Sequence, residues 1–378
     1  MDWAKAVFIG SAALFLYPTA IYPLAGLLFG RRRRRQAAPE PQQWPSLAMV
    51  VCALNERNII RQKVENTLAL DYPRDRLRLI FVSDGSTDGT TEILQEYAGR
   101  GIEVIVRPQR MGKIANLNEV IPRLVEEITV LSDANVLYER GALKALAAPF
   151  ADPSVGAVSG KVILQETTGD LEAGEKQYYS VEWKLQELAS AIYSMAGADG
   201  AMYAFRTRLF RPCPPDTLIE DFVIPISFVR QGKRVLHQPA AIGWERGPES
   251  LAEEFRRRVR IAAGAAQALL RGNGWPVGAP ARFWFVWFSH KFLRWVAPLT
   301  GLTALAAAVA ARGWLPAQAA LWGFAVVALL AVVRAVTGWQ ARVLDVAFYF
   351  LFGQCAQLIG LIKGAAGRQS VLWEKASR

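Results

Sequence analysis

A chain of 378 residues that is 52% hydrophobic, with a mean hydropathy of +0.16, is too apolar for a wholly soluble protein and too long for one small domain. Its formal net charge of +11 comes largely from two basic runs beside apolar or amphipathic segments, which favours membrane lipids over nucleic acid as partners. Three cysteines, Cys52, Cys213 and Cys355, stand far apart without metal-ligand spacing; they exclude a disulfide framework and match a reducing compartment.

The chain starts apolar. Residues 3–30 exceed the roughly 20 needed to cross a bilayer and are followed at once by Arg31 to Arg35. A cleaved signal peptide carries its charge before its apolar stretch, so this order predicts an uncleaved transmembrane anchor over 1–30. The arginine run then reads as a positive-inside signal that places residues 31 onward in the cytoplasm. A basic, Pro-rich linker over 31–45 leads into a regular region.

There the pattern alternates. SLAMVVCA (46–53) predicts a buried strand, and NERNIIRQKVENTLAL a helix behind an Asn55 cap, with Ile60, Val64 and Leu68 on one face. LRLIFV (77–82), IEVIV (102–106) and ITVLS (128–132) predict further strands. Helices are expected between them, from STDGTTEILQEYAG, where Asp88 reads as a cap, and over 112–126. Strands alternating with helices mean an α/β, mostly parallel, doubly wound sheet covered on both faces. Beyond it, VGAVSGKVIL and AMYAF read as strands. Residues 171–195 read as a long helix bearing Tyr178, Trp183 and Tyr193, and another helix is expected from Leu218.

SLAEEFRRRVRIAAGAAQALLR (250–271) is basic with an apolar face, the pattern of a helix lying in a membrane interface. With the aromatic, basic stretch RFWFVWFSHKFLRW it makes an interfacial region over 250–295. Apolar segments near 296–311, 319–337 and 343–362 follow as a C-terminal transmembrane region (296–362), and 363–378 form a cytoplasmic tail. Three crossings would put the tail outside, whereas Lys363, Arg368, Lys375 and Arg378 favour the inside. Either one segment is re-entrant or 282–295 begins a crossing of its own. Asp345, Gln354 and Gln357 are costly in lipid and mark a polar path or a helix contact.

The carboxyl ends of the first four strands present Asn55 and Glu56, then Asp84, then Arg110 and Lys113, then Asp133 and Asn135. No GxGxxG follows the first strand, and Met111-Gly112-Lys113 is not a P-loop. Carboxylates and cations on one sheet edge suit a metal-chelated diphosphate, with lysine or arginine on phosphate oxygens and an aspartate on a hard divalent cation. Singly, each residue is an ordinary turn or cap residue. Their repetition at successive strand ends points to a site.

The ordered set ALNE, VSDGSTDGT, RMGKIANLN, LSDAN, GADGAMYAFR, IEDF and RRVRIAAG resembles the family-2 inverting glycosyltransferases. It most resembles the membrane-embedded branch with cellulose, hyaluronan and poly-N-acetylglucosamine synthases, and the likeness covers roughly 46–271. The resemblance implies a GT-A type domain over 46–249 that faces the cytoplasm of a bacterial inner membrane. It implies a UDP-sugar donor, Mg²⁺ or Mn²⁺, inverting transfer to a glycan or lipid-linked hydroxyl, and an accessory membrane subunit as a further partner. Exopolysaccharide, cell-envelope or glycolipid synthesis would be the purpose. Residue by residue, it puts Ala53, Asn55, Glu56 and Asp84 around the nucleotide, and Lys113 and Arg260 on the diphosphate. Asp133 and Asn135 would hold the metal, Asp221 would deprotonate the acceptor, and Gly200, Glu220 and Arg257 would border the acceptor.

Two positions depart from the family pattern. Asn135 replaces the second carboxylate of DxD and brings no charge, which lowers metal affinity. Ile261 replaces the tryptophan of QxxRW and offers no aromatic face to a sugar, which weighs against a processive polymerase and towards a lipid or lipid-linked acceptor. The incomplete DxD also fits a second class of protein, a catalytically silent nucleotide-sugar-binding scaffold of an envelope complex. His237 and His290 read as structural or interfacial.

Overall fold

A computed structural model describes residues 2–24, 43–165, 171–247 and 250–371. The arginine run at 31–35, most of the linker, the side chain of Tyr178 and the tail beyond Val371 lie outside the described residues.

Among the described residues, eight strands build one sheet: β1 (Leu47–Ala53), β2 (Leu77–Asp84), β3 (Glu103–Arg107), β4 (Ile128–Asp133), β5 (Val136–Tyr138), β6 (Val155–Gln165), β7 (Met202–Arg206) and β8 (Arg234–Arg246). Their order is β3-β2-β1-β4-β7-β6-β8-β5. The first four neighbours are parallel. β7 runs antiparallel to both β4 and β6, β8 is parallel to β6, and β5 is antiparallel to β8.

Up to residue 270 the helices are α2 (Arg57–Leu68), α3 (Thr90–Glu96), α4 (Lys113–Val120), α5 (Ala142–Ala147), α6 (Leu171–Ile192), α7 (Glu220–Arg230) and α8 (Leu251–Leu270), after an N-terminal α1 (Asp2–Leu16). Alternate residues of the central strands serve different cores, as strand periodicity requires. Ala48 and Val50 of β1 join Ile114, Leu117, Phe222 and Trp287 on one face. Leu47, Met49 and Val51 join Ile60, Val64 and Leu94 on the other. Both faces are covered, which is why β1 and β4 read as continuous apolar runs.

Several expected boundaries move. Asn55 does not cap α2: the N-cap is Glu56, and Arg57 N donates to Asp88 Oδ2 at 3.0 Å. The helix expected over 112–126 stops at Val120, where Pro122 enters a 3₁₀ turn, Ile121–Arg123. β5, α5 and the long β8 have no counterpart among the elements expected from sequence.

Among the described residues four helices are long and apolar enough to cross a membrane: Trp3–Leu24, Ala281–Ala310, Leu315–Thr337 and Arg342–Ala365. The second is continuous from α9 (Ala281–Trp287) through a π turn (Phe288–Phe292) into α10 (Leu293–Ala310). The stretch 282–295 is therefore continuous with this apolar helix. α11 (Leu315–Thr337) and α12 (Arg342–Ala365) are joined by Arg334 Nε donating to Asp345 Oδ1 at 2.6 Å. Gln357 Nε2 donates to the carbonyls of Arg294 and, at 2.7 Å, Trp295. Pro298 deprives Arg294 O of its usual helical N–H, so the glutamine supplies the missing donor. Asp345 and Gln357 thus make helix contacts.

α8 packs along α12 by small residues. A Cβ on Gly360 would collide with Val259 O, and one on Gly364 with Ala263 O. Gly364→Val should therefore cost ~1–3 kcal/mol of overpacking and lower the melting temperature in detergent. Gly323→Val, at a position with no atom within 4 Å of its added Cβ, should not. Equal melting temperatures for the two variants would contradict this packing.

Candidate active site

β1 lies between β2 and β4, with Ala53 opposite Ser83 and Cys52 opposite Asp133. Asp84 and Asp133 consequently emerge on either side of β1 at one carboxyl edge, where open α/β sheets place their ligands. Asp84 is buried, and both of its oxygens are bonded within the protein. Oδ1 accepts from Met111 N and from Asn116 Nδ2, and Oδ2 from Gly112 N, each at 2.8 Å. Gly85, at φ +70°, lets the two segments touch, since a Cβ there would sit 2.5 Å from Arg110 N. Expected beside the nucleotide, Asp84 here builds the turn that delivers Lys113.

Lys113 opens α4. Its Nζ donates to Asp133 Oδ1 at 2.8 Å, pairs with Glu220 Oε1 at 2.8 Å and reaches Gly200 O at 3.5 Å. Burial opposes its charge, but the two carboxylates outweigh burial and hold the ammonium well above the ordinary lysine range.

Glu220 and Asp221 start α7. The helix begins there rather than at Leu218 because Ile219 is its non-helical N-cap, at φ −130° and ψ 78°; Leu218 N donates to Gln267 Oε1 on α8 at 3.1 Å. Asp221 packs on Gly200, where a Cβ would stand 3.2 Å from Oδ2, and Ala198 N donates to Asp221 O at 2.8 Å. Burial and then the neighbouring Glu220 raise the Asp221 carboxyl to about 6, against the pull of Lys113, Lys291 and Arg260. Burial also acts on Glu220, but Lys113 and Arg260 prevail and bring it below the usual carboxylate range. Two adjacent carboxyls driven apart in this way suit different chemical roles.

Most of the other expected residues have partners of their own. Asn135 Nδ2 donates to Glu245 Oε1 on β8 at 2.9 Å. Asn55 sits at φ +55°, accepts from Thr87 N at 2.8 Å and donates its own N–H to Ser86 Oγ at 3.1 Å. Glu56 N donates to Thr90 Oγ1 at 2.7 Å. With buried Ala53 before them, these bonds tie the end of β1 to the loop after β2. Arg260 acts on Glu220 and Asp221 through its charge. Arg257 is engaged with the buried Glu254 of its own helix at 2.8 Å, as is Arg258 at 2.6 Å. Ile261 is 42% exposed.

One clamp is not evident from sequence. Lys63 lies fully buried in the apolar face of α2 with Ile60 and Val64, and donates to Ser132 Oγ at 2.7 Å and to Val136 O. Its Nζ stands 4.5 Å from the centre of the Tyr138 ring. Asn66, one turn on, pairs both ways with the Tyr138 backbone at 2.9 and 2.8 Å. Together they clamp the turn that carries Asp133 and Asn135. The available signal is a lysine at i+3 from an apolar position, on a face that should be buried. Asp199 lies in the segment Gly197 to Gly200 that the resemblance puts at the acceptor. Burial, then Glu245, push its carboxyl to about 7, although Ala201 N donates to it at 3.1 Å.

With this geometry the chain can be compared with known proteins. The model of the family described as "Glycosyltransferase like family 2" matches residues 45–264, and the chain belongs to that family. It is 28% identical over 241 residues to the probable glycosyltransferase YdaM of Bacillus subtilis, covering 61% of this chain and 57% of that protein. It is 25% identical over 273 residues to the poly-β-1,6-N-acetyl-D-glucosamine synthase of Staphylococcus aureus strain MSSA476, covering 68% of this chain and 66% of the synthase. The chain thus spans about three fifths to two thirds of the length of these relatives. A solved structure, the mannosyltransferase PcManGT from Pyrobaculum calidifontis in complex with GDP-Man and Mn²⁺, is similar with a TM-score of 0.75 at 24% identity. The match covers 97% of this chain and all of that one. The fold is GT-A, a mostly parallel sheet carrying apolar helices at both ends.

Lys63→Met should leave the Ser132 hydroxyl and Val136 carbonyl short of a donor and cost ~1–3 kcal/mol, read as a lower melting temperature. Adding Ser132→Ala should cost little more, because the two side chains share one bond. Fully additive losses would contradict the clamp.

Proposed function

We propose that the protein is an inverting glycosyltransferase. It moves a hexosyl or N-acetylhexosaminyl group from a UDP-sugar to a hydroxyl of a glycan or lipid-linked acceptor at the cytoplasmic face of a membrane. One observation carries this reading: Lys113 bridges Asp133 and Glu220 directly beside Asp221, which packs on Gly200. Displacing a nucleoside diphosphate from an anomeric carbon builds negative charge on the leaving oxygen. Lys113 and Arg260 are fixed cations placed to stabilise that charge. Asp221 takes the acceptor proton on the opposite face of the sugar.

Among the described residues no three His, Cys, Asp or Glu side chains converge on a metal position. A divalent cation would therefore rely on Asp133, whose side chain is 39% exposed, on the amide oxygen of Asn135 and on the donor's phosphates. This set of hard oxygen donors fits Mg²⁺ or Mn²⁺, which when bound supplies Lewis-acid charge at the diphosphate. The similar mannosyltransferase is a complex with Mn²⁺, which supports that cofactor. The names of the relatives support glycosyl transfer and, through the synthase, exopolysaccharide or another envelope polymer. Exposed Ile261 favours a lipid or lipid-linked acceptor.

Asp221→Asn should lower kcat by ~10²–10⁴-fold while UDP binding measured by calorimetry is retained. Undiminished turnover would remove the assigned base, and donor binding without turnover by the wild type, over UDP-sugars and GDP-mannose alike, would favour the silent scaffold. The base must be ionised, and its carboxyl is raised to about 6. Activity should consequently be full above that value and fall as pH drops through 6. An acid limb near pH 4 would contradict the burial of Asp221.

A further inference from the structure

Asn135 stands where a second carboxylate would complete Asp133-Ala134-Asn135 as a pair of metal ligands, and the exchange alters more than charge. The two oxygens of a carboxylate are equivalent, so an aspartate offers a cation the same kind of atom whichever way its plane is turned. An amide is not symmetric: one end is a hard oxygen and the other an NH₂ that only donates. Turned the wrong way, it points N–H bonds at the cation and lends it no lone pair. An asparagine in this place needs a partner that selects its orientation.

The fold provides one. β5 starts directly after Asn135 and pairs antiparallel with β8, so that Val136 stands opposite Glu245. Asn135 Nδ2 donates to Glu245 Oε1 at 2.9 Å. A carboxylate accepts and cannot donate, so this contact admits only the NH₂ end of the amide. Oδ1 is the end that remains, and it has no hydrogen-bond partner among the described residues. Both sides of the contact are held by backbone. Asp133 N donates to Ala201 O at 3.3 Å, Lys63 Nζ donates to Val136 O, and β8 lies along β6 with Glu245 opposite Leu164. Glu245 comes from 110 residues further along the chain, which is why nothing in the local motif announces it.

We propose that Glu245 is a positioning residue for the divalent cation: by holding the Asn135 NH₂ it presents Oδ1 to the metal beside Asp133. A charged acceptor behind the amide also polarises it and strengthens Oδ1 as a ligand. This role rests on the cation proposed above at Asp133 and Asn135, and Glu245 is not itself a ligand in it.

The test reads metal uptake rather than turnover. Mn²⁺ is titrated into the full chain in detergent at saturating UDP, and binding is followed by loss of the free-ion electron paramagnetic resonance signal. The proteins are wild type, Glu245→Met, Glu245→Gln, Asn135→Asp and the double variant Asn135→Asp/Glu245→Met. Glu245→Met should weaken Mn²⁺ binding ~10–100-fold, and Glu245→Gln, which keeps an accepting oxygen, should lose less. UDP affinity measured in chelator should be the same for wild type and Glu245→Met. In the Asn135→Asp background the ligand needs no orienting partner, so adding Glu245→Met should cost no Mn²⁺ affinity. Undiminished Mn²⁺ binding by Glu245→Met, or a loss by Glu245→Gln just as large, overturns the positioning role. An equal loss in both backgrounds also overturns it and makes Glu245 a direct ligand. Should Glu245→Met fail to fold, Glu245→Ala is read in the same way. A wild type that takes up no Mn²⁺ beside UDP overturns the cation itself, whereas wild-type uptake matched by Glu245→Met overturns Glu245 alone.

Discussion

An ammonium held between two carboxylates, only partly open to solvent, organises this molecule. Charges drawn away from water gain from being paired, and each partner of Lys113 comes from a different part of the chain. The lysine rides on a turn shaped by Asp84 at the end of β2; Asp133 ends β4, and Glu220 opens α7. Satisfying all of them requires β2, β1 and β4 to lie side by side and α7 to sit over their edge. An ion cluster of this kind is weak evidence for stability and better evidence for a site, because its geometry fixes where charge can be met.

The edge that carries Lys113 and Asp221 is also held by α8 and by the apolar helices. Gly264 of α8 lets Ile219 approach so closely that an added Cβ would clash at 2.6 Å, while Gln267 caps Leu218 N. The same helix carries Arg260 and rests through glycine contacts on α12. From the other side, Trp295 of α10 packs edge-on against Phe222 at 4.8 Å, one residue beyond Asp221. The amphipathic α8 and the apolar α10 thus both touch the start of α7.

Much of this is legible in the residues. Apolar strands ending in Asp or Asn announce the sheet and the edge that carries the site, because a strand buried on both faces tolerates small hydroxyls such as Ser83 and Thr129 but carries no carboxylate until its carboxyl end. The second half is harder. β8 contains Pro239 and Gly243 and pairs with β6 through irregular register, so its polar–apolar pattern never settles into alternation. β5 is three residues long, too short to carry a period. Asn55 resembles a helix cap because caps and tight turns use the same side chains; its left-handed backbone assigns it to the turn. Lys63 is hidden because a lysine on an apolar helix face reads as an edge position, whereas its partners are backbone and hydroxyl groups that only the fold brings near. The polar residues Asp345 and Gln357 cannot be assigned from one helix, since each answers a group on another.

A structure of the full chain with UDP and Mn²⁺, with the metal located by anomalous scattering, tests the central claim most directly. The account predicts manganese density at Asp133 and Asn135, and the diphosphate against Lys113, with Asp221 across an open space the size of a sugar. Nucleotide bound away from this edge, while Lys113 still bridges Asp133 and Glu220, would contradict it.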